Sequence, residues 1–167
     1  MKRRGGFTLL EVILVMGMIF VMAAVVAPRF SDYVPALRVT KTADRIFAWA
    51  RKARADAATT GLRHRLVFDP KAKTFWLDYE ARPYKDPGKF APLASWDEEQ
   101  VPDEVDLETL DGLQDDPENL QRKVLEFRPD GTAADATITV SNDRGDRAAI
   151  KVVGATSRVY IEVPVQP

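Results

Sequence analysis

The sequence predicts an α+β chain, with one long N-terminal helix packed on a C-terminal antiparallel β-sheet. Three observations predict it. An unbroken apolar run fills Phe7 to Ala27, a single apolar stripe at helical spacing continues to Ala57, and beyond Gly61 the apolar period falls to two.

The chain opens on Met1-Lys2-Arg3-Arg4-Gly5-Gly6, a short basic leader, residues 1–6. Residues 7–28 are apolar except for Thr8, Glu11, Gly17 and the closing Pro28. As a helix rising about 1.5 Å per residue, Phe7 to Ala27 spans about 30 Å, the thickness of a bilayer core. This half of the helix is expected to cross a membrane, closed by Pro28 and Arg29.

Residues 29–61 form the expected soluble, amphipathic half, with Pro35 placed to bend its start. Val39, Ala43, Ile46, Ala50, Ala53 and Ala57 recur at alternating spacings of four and three, which lays them on one face. Phe47 and Trp49 flank that stripe. The remaining surface is basic, with Arg38, Lys41, Arg45, Arg51, Lys52 and Arg54 against Asp32, Asp44 and Asp56. Gly61 is a natural stop.

Residues 62–167 read as a β-rich domain. Leu62–Asp69 and Thr74–Tyr79 form a hairpin about the turn Asp69-Pro70-Lys71. Further strands are expected at Val124–Arg128, Thr137–Ser141, Ala148–Val153 and Arg158–Val163. Pro129-Asp130-Gly131, Asn142-Asp143-Arg144-Gly145 and Gly154 separate them. Between the second and third strands lies an acidic insertion at 80–123. Its stretch Asp97 to Glu118 holds eleven carboxylates and no lysine or arginine. A structureless loop of that length is uncommon in a compact domain, so short helical or irregular pieces are expected, one near Pro117–Arg122. Trp49, Phe75 and Trp76 are expected in the core where helix meets sheet.

Composition excludes several functions. The net charge of -1 calls for neither nucleic acid nor an acidic substrate, and with no cysteine there is no disulfide or thiolate metal site. His64 is the sole histidine, and Ser95, Ser141 and Ser157 lack the glycines of a nucleophile elbow. The chain therefore reads as not an enzyme, with no metal and no cofactor. The acidic stretch lacks the Asp-x-Asp-x-Asp-Gly spacing of a calcium loop and reads as a solvated loop. The basic helix has few aromatics among its cations, so it faces acidic loops of neighbouring subunits in preference to nucleic acid. Asp130-Gly131 and Arg144-Gly145 are turn glycines, since no helix of Walker or dinucleotide type follows them.

The front of the chain carries the most specific pattern. A secretory signal peptide needs a shorter apolar stretch and a small-residue cleavage site, and here the best one, Val25-Val26-Ala27, is followed by Pro28. A plain anchor leaves Glu11 unexplained, because an acid in lipid costs about 2.5–3.5 kcal/mol on insertion scales. Lys2-Arg3-Arg4-Gly5-Gly6-Phe7-Thr8-Leu9-Leu10-Glu11 resembles the type IV prepilin leader. The resemblance implies cleavage after Gly6 and methylation of the new N-terminus at Phe7 by a prepilin peptidase/methyltransferase. It also implies an assembly role for Glu11 and a helix-loosening kink at Pro28, the twenty-second residue of the mature chain. The physics agrees, since Glu11 lies four residues from the Phe7 amine and can pair with its own or a neighbour's.

The soluble half resembles the minor pseudopilins of type II secretion known as general secretion pathway protein H, and related minor type IV pilins. The matching pieces are Ala48–Ala57, the strand after Gly61, Phe127-Arg128-Pro129-Asp130-Gly131-Thr132, the Thr137–Val140 strand and the closing Ile150–Ile161 pair. Two features depart from that pattern: Gly154-Ala155-Thr156-Ser157-Arg158 lacks a Gly-Arg step, and the acidic segment is long. The resemblance implies a pilin fold and a single-pass protein of the bacterial inner membrane with its β-domain in the periplasm. It implies as partners other pilin or pseudopilin subunits and a secretion-system assembly platform. Two alternatives stay open: a minor type IV pilin for adhesion or DNA uptake, and a membrane-tethered β-domain without a filament role.

Overall fold

The computed structural model describes residues 8–94, 96–156 and 158–162, with 25–33 described by backbone alone. Helix α1 runs Leu9–Thr60, and neither Pro28 nor Pro35 interrupts it. Proline removes one backbone donor and crowds the preceding turn, which a helix this long absorbs locally. The chain divides after Pro35 into two compact units.

In the first unit, Thr8 caps α1. The Glu11 amide donates to the Thr8 carbonyl oxygen at 3.1 Å and lies 3.3 Å from its Oγ1. Thr-x-x-Glu is the sequence of a capping box, which satisfies amides that have no partner in the first turn. From Leu9 to Met22 the large apolar side chains are exposed around the whole circumference, Leu9 at 79% and Phe20 at 72%. The expected membrane half includes Phe7 and the side chains of 25–28, which lie outside the description. Among the described residues no helix is long and apolar enough to cross a membrane.

In the second unit the expected stripe is the buried face of the helix: Val39, Ala43, Ile46, Ala50, Ala53 and Ala57 are all buried. Two antiparallel sheets supply the rest of the core, where one had been expected. The larger joins β1 (His64–Asp69), β2 (Thr74–Tyr79), β3 (Ala91–Pro92), β4 (Glu99–Gln100), β6 (Gln114–Asp116) and β7 (Asn119–Phe127) in the order β3-β2-β1-β7-β6, with β4 also on β2. The smaller orders β10 (Arg158–Glu162), β9 (Arg147–Val153), β8 (Ala136–Ser141) and β5 (Asp106–Asp111). Leu66, Phe68, Phe75, Leu77, Leu125 and Phe127 from the first sheet meet Ile138, Val140, Ile150 and Val152 from the second in one cluster with the helix stripe.

The insertion departs most from expectation. Residues 80–123 contain β3 to β6 and the start of β7, and Pro117–Arg122 enters β7 instead of forming a helical piece. Asp116 ↔ Asn119 closes a tight β6–β7 turn there, and a strand then follows directly. The stretch Asp97–Glu118 is likewise no solvated loop. Val101 and Val105 are fully buried beneath it, and its acids reach cations of the same unit. Arg38 pairs with Glu104 and Arg45 with Glu99, while Lys73 meets Asp106 at 2.7 Å and Arg147 meets Glu108 at 2.8 Å. The basic helix thus finds acidic partners within its own chain.

Candidate functional site

Two regions stand out, one in each unit. The first is the capped start of α1. Gly6 and Phe7 lie outside the described residues, Glu11 is exposed in the first turn, and Pro28 lies within the helical backbone. A helix apolar on every side has no aqueous face. Glu11 is the only ionisable residue between Phe7 and Ala27. What such an end can do chemically is pair a carboxylate with a cation while the rest packs.

The second region is the face of the six-stranded sheet turned away from α1. Strand alternation sends Leu66 and Phe68 to the core and Arg65 and Val67 to the other side. The register sets Arg65 opposite Asp78 on β2 and opposite Glu126 on β7. Arg65 is buried. It donates through Nε and Nη2 to Asp78 Oδ2 at 3.1 and 3.0 Å, and through Nη1 to Asp116 Oδ1 at 3.3 Å. Phe90 lies over it, with the guanidinium carbon 4.1 Å from the ring centroid. Burial pushes the Asp78 carboxyl above its usual range, against the opposing bonds from Arg65.

Beside this triad, Arg63 donates through Nε to Glu80 Oε2 at 2.7 Å and reaches Glu126 at 3.4 Å. The Gly88 amide adds a bond to Glu80 Oε1 at 2.6 Å. These bonds, Arg63 foremost, hold the Glu80 carboxyl below its usual range. Arg122 stacks over Trp76, 5.0 Å to the centroid, and bonds Asp69 Oδ2 at 3.3 Å. Trp76 is half-buried and packs against the core cluster without being one of its fully buried members. Trp49 and Phe75 do sit in the core, edge to face at 5.2 Å.

His64 is buried, with Nδ1 3.2 Å from the Leu62 carbonyl oxygen and its ring stacked on Tyr79 at 6.0 Å. Ser141 belongs to the other sheet, and Ser95 and Ser157 lie outside the described residues. No histidine–serine pairing is assembled by His64 and Ser141, which the topology separates. Among the described residues no group of three or more acids and histidines is gathered to hold a metal ion. In the acidic stretch, Arg65 occupies the space between the Asp78 and Asp116 carboxylates. Sequence reading missed the Arg65 triad, although a hairpin register centred on Lys71-Ala72 places Arg65 across from Asp78.

Comparison with solved structures gives the architecture a context. A structure of the minor pseudopilin EpsH from the type 2 secretion system of Vibrio cholerae superposes at a TM-score of 0.61 with 7% identity, over 77% of this chain and 99% of that one. A second crystal structure of EpsH gives 0.58 and 9% identity, over 78% and 96%. The type IV minor pilin FimU of Pseudomonas aeruginosa gives 0.53 and 12% identity, over 74% and 87%. The fold is pilin-like and resembles that of pseudopilin H. No family model and no curated protein sequence matches the chain. At such low identity the likeness reaches no further than the fold.

Proposed function

We propose that the chain is a minor pseudopilin of a type II secretion system, an assembly subunit and not an enzyme. The observation that carries the reading is an α1 start exposed and apolar on every side, with one carboxylate, Glu11, in its first turn. The pilin-like fold supports it. In this reading a prepilin peptidase/methyltransferase cleaves after Gly6 and methylates Phe7. Residues 7–28 then hold the protein in the inner membrane with the β-domain in the periplasm. Apolar surface packs along the filament axis on extraction from lipid, Glu11 pairs with the Phe7 amine of a neighbouring subunit, and Pro28 loosens the helix. The assembly platform and the other pseudopilins are the partners. The likeness to FimU favours a second reading, a minor type IV pilin for adhesion or DNA uptake.

Mass spectrometry of the native protein tests the processing step, with Phe7 expected N-terminal and N-methylated. An intact Met1 start overturns it. The Glu11→Ala variant is expected to be processed and membrane-resident yet missing from filaments and inactive in secretion. Wild-type secretion by that variant refutes the assembly role. Loss of pili or of DNA uptake, with secretion unaffected, selects the second reading.

A further inference from the structure

The four-stranded sheet ends in two strand edges that the fold leaves open, and the assembly reading uses neither. Among the described residues β10 pairs only with β9, and β5 only with β8. An unpaired edge carries a row of backbone donors and acceptors ready for another strand. The register sorts the side chains of both edges. Val159 and Ile161 of β10 lie opposite buried Val152 and Ile150 and turn to the core. Leu107 and Leu110 of β5 do the same opposite buried Val140 and Ile138. All four are only partly buried where they pack on the core cluster, so the core is thinly covered at both edges. On the outer face stand Arg158, Tyr160 and Glu162 of β10, and Asp106, Thr109 and Asp111 of β5. Arg158 and Asp111 are exposed and have no ion-pair partner among the described residues.

We infer that β10 of one copy pairs antiparallel with β5 of a second copy, joining the two four-stranded sheets into one. Three antiparallel steps separate β10 from β5, so the two edges run in opposite directions. A second copy shifted sideways without being turned over therefore brings its β5 antiparallel to β10, core side matched to core side. Setting Arg158 opposite Asp111 gives each unpaired charge its counterion across the joint and keeps the alternation in step. Val159 then meets Leu110, Tyr160 meets Thr109 and Ile161 meets Leu107. Glu108 is the bulged residue of β5. β8 already pairs across it, Val140 with Leu107 and Thr139 with Thr109, and β10 passes it in the same way. At the far end Glu162 and Asp106 each keep a lysine, Lys151 at 2.5 Å and Lys73 at 2.7 Å. Because the two edges differ, the contact is head to tail and can repeat from copy to copy. The inference concerns the β-domain and stands whether or not the filament reading does.

The chain has no cysteine, so Thr109→Cys with Tyr160→Cys places its only two thiols on the outer face of this sheet. Within one copy they lie three strand spacings of about 4.8 Å apart, about 14 Å in all. A disulfide bridges Cα atoms no further apart than roughly 7 Å, so any link between the two positions joins two copies. Oxidation of this full-length variant in detergent micelles is expected to give covalent dimers and larger species. Peptide mass spectrometry should find them joined from position 109 to position 160. Association through the apolar start of α1 would give no such preference over 109–109 and 160–160 links. Arg158→Asp in the same background should lower the 109–160 yield several-fold, and adding Asp111→Arg should restore it. Asp111→Cys with Arg158→Cys, both at exposed positions, supplies a second in-register pair, with circular dichroism reporting that each variant is folded. Links without that preference in a folded variant, an absence of links, or a charge swap that fails to restore the yield overturns the proposal.

Discussion

Replacing Arg65 with methionine removes the one cation that two buried carboxylates share. The side chains of Arg65, Asp78 and Asp116 are 7%, 6% and 2% exposed, so none of the three charges can turn to solvent for compensation. Methionine keeps an apolar stem but ends short of the guanidinium, so the change also removes the stacking of that group against Phe90. Breaking a buried pair by deleting one partner costs about 3–5 kcal/mol. At about 2–4 °C per kcal/mol for a chain of this size, the melting temperature should fall by roughly 10 °C. The pH dependence separates this from simple loss of packing. Burial raises the Asp78 carboxyl, so the stability its protonated form contributes is complete below the unfolded value of about 3.9 and is lost as pH rises through the folded value. At neutral pH the charged form is a cost that Arg65 offsets. Without Arg65 the deficit is therefore largest at neutral pH and shrinks as acid protonates the stranded carboxyls. Thermal melts of the wild-type and variant chains by circular dichroism at pH 7 and pH 5 measure both effects. A variant within about 1 kcal/mol of wild type, or a deficit equal at the two pH values, refutes this account.

Three further outcomes follow from the same structure. Gly112 and Gly131 both hold positive φ, 76° and 80°, but a Cβ at Gly112 would run into the Asp135 carbonyl oxygen while Gly131 faces open space. Gly131→Ala should cost about 1–2 kcal/mol for the left-handed backbone alone, and Gly112→Ala clearly more, as read by thermal unfolding. Arg45→Ala breaks an exposed pair with Glu99 and should cost no more than about 1 kcal/mol, an effect that disappears when melts are repeated in high salt. Glu80, held below its usual carboxyl range chiefly by Arg63, contributes stability above its unfolded pKa that is lost as pH falls through the folded value. Glu80→Gln should therefore flatten the decline of melting temperature with acid, and an unchanged pH profile would count against that assignment.

The parts of this fold legible in the sequence are those whose apolar residues repeat with one period. The stripe from Val39 to Ala57 specified the buried helix face residue by residue, and the Thr74–Tyr79 strand matches β2 because its alternation is bounded by clear turns. The insertion hid its strands for the opposite reason. β5 and β6 carry mainly acids and partly buried leucines, and short paired segments such as β3 gain hydrogen bonds from β2 without any pattern of their own. The Arg65 triad was obscured because charged residues in a strand read as solvent-facing. Here the 81–90 segment brings Phe90 over that face and converts it into a second buried surface. At the front of the chain, the reading of Gly6, Phe7 and Glu11 rests on a linear pattern alone, and only Glu11 of the three lies among the described residues.

The buried helix stripe is nearly self-similar along its axis. Ala43, Ala50 and Ala57 repeat at intervals of seven residues, and a slide by one such step, about 10.5 Å, would lay alanine on alanine at the first two. Ile46 breaks the repeat, since the same step would bring Ala53 into its place. Trp49 breaks it too, wedged edge-on between Phe75 and Trp96 at 5.2 and 4.6 Å. These two side chains act as a detent. The alanines let the helix lie close to the sheets but say nothing about where along them it stops, whereas Ile46 and Trp49 fix the axial position. Any load pulling on the soluble half of the helix would meet that turn together with the Arg38–Glu104 and Arg45–Glu99 pairs.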